Sequence, residues 1–263
     1  MRISMILALL ALSSSAFAAD TPTSKAQQQV PSAVTATAKK IFGEEASKNV
    51  ARSPVAGLYE VIVGDDVLYI SRNGRHVIAG RIFEARTGKN LTRERENELL
   101  QEANPQRQKA INAVDETEMV VFAPKGETKY TVNVFTDVDC GYCAKFHREV
   151  PKLSEAGVKV RYLAFPRAGV GSTTYKKMVS IWCASDQQKA MTAAKERKSL
   201  GWVRCSEASK TNSKATIKAQ LELGESIGIT GTPAMVFSNG ELVPGYMPAK
   251  DLIPFLEEKF GKK

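Results

Sequence analysis

Cys140-Gly141-Tyr142-Cys143 is the stretch of this 263-residue sequence whose residue types and spacing could do covalent chemistry. Two thiols separated by two residues can pass between a dithiol and a disulfide. Placed after a strand and at the opening of a helix, the first sulfur meets unpaired backbone N–H groups and the positive end of the helix dipole. Both favour the thiolate, which is the attacking species. The two-residue spacer lets Cys143 reach back and resolve a mixed disulfide formed at Cys140. Asp139 works against thiolate formation if its carboxylate points inward. A half zinc site with His147 as a third ligand competes with this reading. Zinc usually takes four ligands, and the next cysteine, Cys183, lies 40 residues on. A c-type haem site needs His directly after the second cysteine, and Ala144 stands there. A purely structural Cys140–Cys143 disulfide remains as the bland alternative.

The other two cysteines are Cys183 and Cys205. Four cysteines allow three pairings, of which Cys140–Cys143 with Cys183–Cys205 is the simplest. Pairing is expected because the amino terminus reads as an export signal. Arg2, an apolar run over residues 3–12 and the small residues Ala16 and Ala18 fit a signal peptide cleaved after Ala18. Cleavage leaves 245 residues with net charge +8. Cysteines in an oxidising compartment tend to pair. His76 and His147 have no Ser or Asp arrangement that suggests hydrolysis, and His147 is given no catalytic role. Trp182 and Trp202 read as core.

The composition is 43% hydrophobic and 25% charged, which excludes disorder over most of the chain. The longest apolar run is about half of the ~20 residues that cross a bilayer. Residues 105–263 carry 24 basic and 17 acidic side chains. No basic block or aromatic-interleaved motif accompanies that excess, so it reads as a solvated face and not as a nucleic-acid surface.

The elements that must position the cysteines fall into two groups. Residues 19–29 are polar and read as a disordered lead. Residues 30–42 suggest a helix, and residues 58–63, 67–71, 76–79 and 81–84 suggest short strands. Asn73-Gly74 is a hairpin signal between two of them. A helix with so small a sheet buries little surface alone, so residues 30–90 favour a dimerisation domain. A charged helical linker follows over 91–104, capped by Thr92, with a break at Asn104-Pro105. In residues 105–263, strands are expected at 119–123, 130–135, 158–165, 233–237 and 241–243. Helices are expected to about 114, from the cysteines to about 155, and at 173–185, 186–195, 213–227 and 249–260. This order suggests a helix-covered α/β domain.

The segments Phe135-Thr136-Asp137, Cys-Gly-Tyr-Cys, Tyr162-Leu-Ala-Phe-Pro-Arg167, Ile181-Trp-Cys-Ala184, Gly231-Thr-Pro-Ala234 and Leu242-Val-Pro-Gly-Tyr246 resemble the DsbC/DsbG family of periplasmic disulfide isomerases. The resemblance runs in order over essentially the whole mature chain, and is most specific around the two cysteine pairs. It implies an α+β amino-terminal dimerisation domain, a helical linker and a thioredoxin-like carboxy-terminal domain with a helical insertion. Cys140 matches the family's attacking cysteine, Cys143 the resolving one, and Gly141 and Tyr142 the loop between them. Thr232-Pro233 matches the opposed substrate-binding loop, where the family holds a cis proline. Cys183–Cys205 matches the structural disulfide, and Cys140–Cys143 the redox-active one.

The resemblance further implies a periplasmic homodimer that corrects mispaired disulfides in secreted proteins. A membrane thiol reductase of the DsbD kind would recharge it. Thiol exchange needs no metal, nucleotide or flavin, so no cofactor is expected. Holding of unfolded chains is expected as an additional chaperone activity beside the enzyme; a sulfenic-acid reductase of the DsbG kind, a thiol oxidase and a non-catalytic holding chaperone are the alternatives. Family members of the DsbG kind typically carry Pro where Gly141 stands, which favours the isomerase.

Overall fold

The computed structural model describes residues 30–64 and 66–261. The signal peptide and polar lead read from the sequence lie outside them. None of the described helices is long and apolar enough to cross a membrane.

The first unit is a four-stranded antiparallel sheet with two helices. Helix α1 (Ser32–Phe42) runs into the short α2 (Glu44–Lys48). The strands β1 (Val50–Arg52), β2 (Leu58–Val63), β3 (Asp66–Ser71) and β4 (Val77–Ile78) follow in sheet order. Val34 and Ala38 of α1 pack on Tyr59, Val61 and Ile70, with Ala46 completing a small core. The Asn73-Gly74 turn joins β3 to β4, and Gly74 sits at φ 69° against α1, where the Thr37 hydroxyl donates to its carbonyl oxygen (2.8 Å).

Two details differ from the sequence reading. Strand β1 is absent from it, because three residues give no alternation to read. Residues 81–84 form a single bridge, Phe83 to Asn90, and no strand. The segment folds back on itself instead. Glu84 N–H donates to Lys89, Leu91 N–H donates to Ile82, and Phe83 is left 57% exposed.

Helix α3 (Leu91–Glu102) starts at an Asn90 cap, whose side chain accepts from Arg93 N–H. Thr92 therefore lies inside the helix. Its buried hydroxyl pairs with Tyr69 OH (2.6 Å) and accepts from Ile82 N–H (2.8 Å). Arg95 pairs with buried Glu60 at 3.0 Å. These contacts fasten α3 to the first sheet. Helix α4 (Asn104–Asn112) follows after one residue, with Pro105 in its first turn, where a missing N–H costs little. Its Arg107 and Gln108 donate to the carbonyls of Gly240 and Ser238.

The second unit is built on a five-stranded sheet in the order β5-β7-β6-β8-β9, formed by β5 (Val120–Phe122), β6 (Tyr130–Thr136), β7 (Val158–Ala164), β8 (Ala234–Phe237) and β9 (Leu242–Pro244). Only β6 and β7 are parallel. Between them run α5 (Gly141–His147) and α6 (Val150–Glu155). The single helix expected to residue 155 is thus two, with Pro151 opening the second.

The strands bury both faces, as a sheet covered on two sides must. Val132, Val134, Val160, Tyr162, Met235 and Phe237 face one core, while the alternate residues Phe135, Leu163, Ala234 and Val236 face the other. This is a mixed sheet, as the resemblance implies for the carboxy-terminal domain.

Helices α7 (Thr173–Trp182), α8 (Gln187–Lys195) and α9 (Glu207–Ser226) lie between β7 and β8, and α10 (Ala249–Phe260) closes the chain. Helix α9 begins six residues before the expected start. Ser206 caps it by accepting from Ser209 N–H, and its first two turns are polar and show no apolar period. Trp182 is core and donates to the Glu118 carbonyl oxygen (2.8 Å). Trp202 is 44% exposed under the Lys189 ammonium, which corrects its reading as core.

Cys183 and Cys205 are bonded, with a sequence separation of 22. Replacing both by Ala should cost roughly 3 kcal/mol by the loop-entropy relation, measured by urea unfolding of the oxidised protein. Gly240, at φ 82°, packs against α4 so closely that an added Cβ would collide with the Asn104 carbonyl oxygen. Gly240→Ala should therefore destabilise by about 2–4 kcal/mol in the same assay, from left-handed strain plus overpacking.

Candidate active site

Strand β6 ends at Thr136, and three residues carry the chain to Cys140, the N-cap of α5. Asp137 shapes that passage. Its carboxylate accepts from Asp139 N–H (2.8 Å), from Arg167 N–H (3.0 Å) and from Arg167 Nε (3.2 Å). The Cys140 sulfur then does what a capping side chain does, accepting from Cys143 N–H at 3.3 Å. Cys140 and Cys143 are free thiols here, the reduced state of the pair.

Opposite them the Thr232–Pro233 peptide is cis. Cys140 Sγ donates to the Thr232 carbonyl oxygen at 3.3 Å, so the loop touches the first cysteine directly. The Thr232 hydroxyl is buried and has no partner among the described residues while Cys140 is a thiol. Once Cys140 loses its proton, the sulfur becomes an acceptor that this hydroxyl can serve.

The two sulfurs titrate far apart. Cys140 is lowered to about 5, chiefly by the hydrogen bond from the Cys143 thiol. Thr232, the Cys143 N–H and the Arg167 charge add to that effect against the cost of burial. Cys143 is pushed well up, first by burial and then by its neighbour Cys140. One sulfur is therefore a thiolate at neutral pH, and the other holds its proton.

Asp139 does not point at the cysteines. Its carboxylate accepts from Thr174 Oγ1 (2.5 Å) and Lys177 Nζ (2.6 Å) of α7. Burial would raise its pKa, but those two partners hold it below the ordinary range.

His147 is buried at the end of α5. Thr192 already donates its hydroxyl proton to Gln188, so His147 Nε2 donates to Thr192 (3.0 Å) and Nδ1 accepts from Tyr162 OH (3.0 Å). Burial, helped by the Lys195 charge, lowers His147 to about 4. It is a neutral, satisfied strut. Among the described residues no group of three or more His, Cys, Asp or Glu could hold a metal ion.

Tyr142 stands 64% exposed beside the sulfurs and stacks on Tyr246 with ring centres 6.3 Å apart. Lys145 lies 4.7 Å over the Tyr246 ring, whose hydroxyl donates to Glu149 (2.9 Å). Cys140, Cys143, Thr232 and Pro233 are thus brought together, with Tyr142 on the rim. Gly141 opens α5 with free space around its Cα.

The sequence reading gave no role to Asp137, Arg167, Tyr246 or Lys195. Lys195 was detectable: it falls four residues after Met191, on the apolar face of α8. Asp137 and Arg167 meet only through the fold.

Residues 19–93 match the disulfide bond isomerase protein N-terminal domain family, and residues 116–260 match the thioredoxin-like domain family. The thiol:disulfide interchange protein DsbC of Escherichia coli K12 is 38% identical over 214 residues, covering 81% of this chain and 82% of that protein. The protein of the same name from Haemophilus influenzae is 34% identical over 209 residues, covering 80% and 83%. Among solved structures, a disulfide interchange protein from Neisseria gonorrhoeae aligns with 57% of this chain and 100% of its own, at 26% identity and a TM-score of 0.46.

The reduced protein should gain one thiolate, read at 240 nm, with a midpoint near pH 5, and none from Cys143 over the neutral range. Cys143→Ala removes the main donor to that sulfur and should raise the midpoint by about 1–2 units, the value of one charge-assisted hydrogen bond. The folded value lies below the 9.0 of an ordinary thiol. The thiolate's contribution to stability is therefore complete above about pH 9 and lost as pH falls through about 5.

Proposed function

The chain belongs to the DsbC family of thiol:disulfide interchange proteins, and from that premise we propose that it corrects mispaired disulfides in exported proteins through Cys140 and Cys143. It is a thiol-disulfide oxidoreductase with a thioredoxin-like catalytic domain. The observation that carries the isomerase reading is the match of residues 19–93 to the disulfide bond isomerase N-terminal domain, joined to a site with one sulfur held as a thiolate at a helix start and the other buried and protonated.

The Cys140 thiolate attacks one sulfur of a substrate disulfide. The substrate S–S bond breaks, and its electron pair leaves on the other substrate sulfur. That freed thiolate can attack a second substrate disulfide, and the thiolate released there attacks the substrate sulfur of the mixed disulfide, forming the corrected bond and expelling Cys140 as the thiolate. Otherwise Cys143 loses its proton, attacks Cys140 and releases the substrate, leaving the enzyme oxidised. The high pKa of Cys143 slows the second route and leaves time for the first. Thr232 and Pro233 line the place where an extended substrate segment would lie, and Tyr142 on Tyr246 offers it an aromatic ledge.

Residues 30–90 are the dimerisation domain in this reading and residues 91–104 the linker to the catalytic domain at 105–263. The short edge strand β4 leaves Val77 and Ile78 exposed, and Phe83 stands beyond it. These side chains would be covered by a second copy. The protein would act in the periplasm after cleavage behind Ala18, and a membrane thiol reductase would restore the dithiol.

The test is refolding of ribonuclease with scrambled disulfides by the pre-reduced protein. Recovery of ribonuclease activity that falls to background in Cys140→Ser is expected. Absence of recovery, with rapid oxidation of a reduced substrate instead, would replace the isomerase by a thiol oxidase.

A further inference from the structure

Lys195, the last residue of α8, is 4% exposed. Its ammonium donates to Thr136 Oγ1 (2.6 Å) and to the Asp137 carbonyl oxygen (2.9 Å), at the point where β6 turns toward Cys140. An ammonium has three protons to place, and a buried charge normally has a counter-ion. Among the described residues no ion pair serves this one. The Asp137 carboxylate is held by Arg167, and that of Asp139 by Lys177.

Facing Lys195 from α5 and its cap are Cys140, Cys143 and His147, of which His147 is neutral. From β7 comes Tyr162, whose ring centre lies 5.9 Å from Nζ and whose hydroxyl stays protonated. Glu196 follows Lys195 in the chain, and its charge is engaged by Lys198. The anion left to balance the buried ammonium is a cysteine thiolate.

We propose that Lys195 is a positioning residue that acts through its charge: its ammonium is the buried counter-ion of the active-site thiolate, so the reduced centre carries an ion pair that the oxidised centre lacks. The inference rests on the thiol-exchange reading above. The electron balance gives it a consequence. The reduced enzyme, with one thiolate and one thiol, meets a substrate disulfide. It ends as the Cys140–Cys143 disulfide plus one substrate thiolate and one substrate thiol, the latter carrying the proton from Cys143. Negative charge thus leaves the neighbourhood of Lys195 on oxidation. A fixed cation there stabilises the reduced form and makes the couple more oxidising. Burial lowers Lys195 to about 8, and the two cysteines act in the opposite direction, as such a pairing requires.

Two substitutions separate charge from hydrogen bonding. Lys195→Met removes both, whereas Lys195→Gln keeps a donor for Thr136 and Asp137 without the charge. Both should raise the Cys140 midpoint, followed at 240 nm in the reduced protein, by about one unit. Both should also shift the equilibrium with glutathione about tenfold toward the enzyme disulfide, roughly 30 mV more negative. A Gln variant that titrates like the unaltered protein would overturn the proposal in favour of a purely structural role, as would two unchanged titrations.

The unaltered protein supplies an independent reading should the variants not fold. The Lys195 amine, followed by nitrogen-15 NMR, should titrate at higher pH in the reduced state than in the oxidised one. Equal midpoints would overturn the proposal. Loss of ribonuclease refolding by the unaltered protein would strike the exchange reading, whereas unmoved titrations in an active protein strike this inference alone.

Discussion

The site depends on one requirement: a sulfur anion has to be solvated by protein and not by water. Cys140 is a helix cap, and the helix needs an acceptor there regardless of chemistry. The protein meets that need with an atom that can also break bonds. Each surrounding contact then serves the same end. The Cys143 N–H, the Cys143 thiol and the Thr232 hydroxyl can all donate to one sulfur, and Arg167 adds charge from outside. Water would offer the same bonds, but would have to be displaced before a substrate sulfur could approach.

The sheet exists, in functional terms, to bring these donors to one point. Strands β6 and β8 are antiparallel neighbours, with Phe135 opposite Ala234. The end of one strand and the start of the other therefore lie together, and Cys140 comes to face Thr232 across a sequence separation of 92. Burial of both faces, through Val132 and Val134 on one side and Phe135 on the other, fixes the register. A one-residue slip would exchange the two faces. The helical insertion reaches into the same point through Lys177, Thr174 and Lys195.

The sequence made the thiol pair, the strand before it and most of the core strands legible, because apolar alternation and Cys-x-x-Cys are local signals. Where the expectations differed, the deciding interaction was not local. The strand expected at residues 81–84 has no partner to continue the sheet, and its backbone bonds return to residues 89–92. Six residues of α9 were missed because a serine cap and a polar face start it, with no apolar stripe. Trp202 looked like core by residue type, yet it is stacked under a lysine at the surface. Asp139 raised a concern about charge that its own position could not answer. The answer lies 35 and 38 residues away, in Thr174 and Lys177. The spacing of Lys195 from Met191 marks it as inward-facing, but its partners Thr136 and Asp137 lie 59 and 58 residues away and only the fold supplies them.

The protein carries a disulfide of its own while being equipped to attack disulfides, so copies meeting one another pose a problem of self-recognition. The location of the Cys183–Cys205 bond bears on it. Cys183 ends α7 in helical backbone geometry, and Cys205 immediately precedes the cap of α9. Cys183 cannot be laid out as an extended segment without unwinding the end of α7. Backbone shape at Cys183 therefore stands in the way of exchange on that side of the bond, whatever the bond's strength. By the same criterion, the disulfides whose flanks can be laid out in extended form are those in chain that has not yet found its secondary structure.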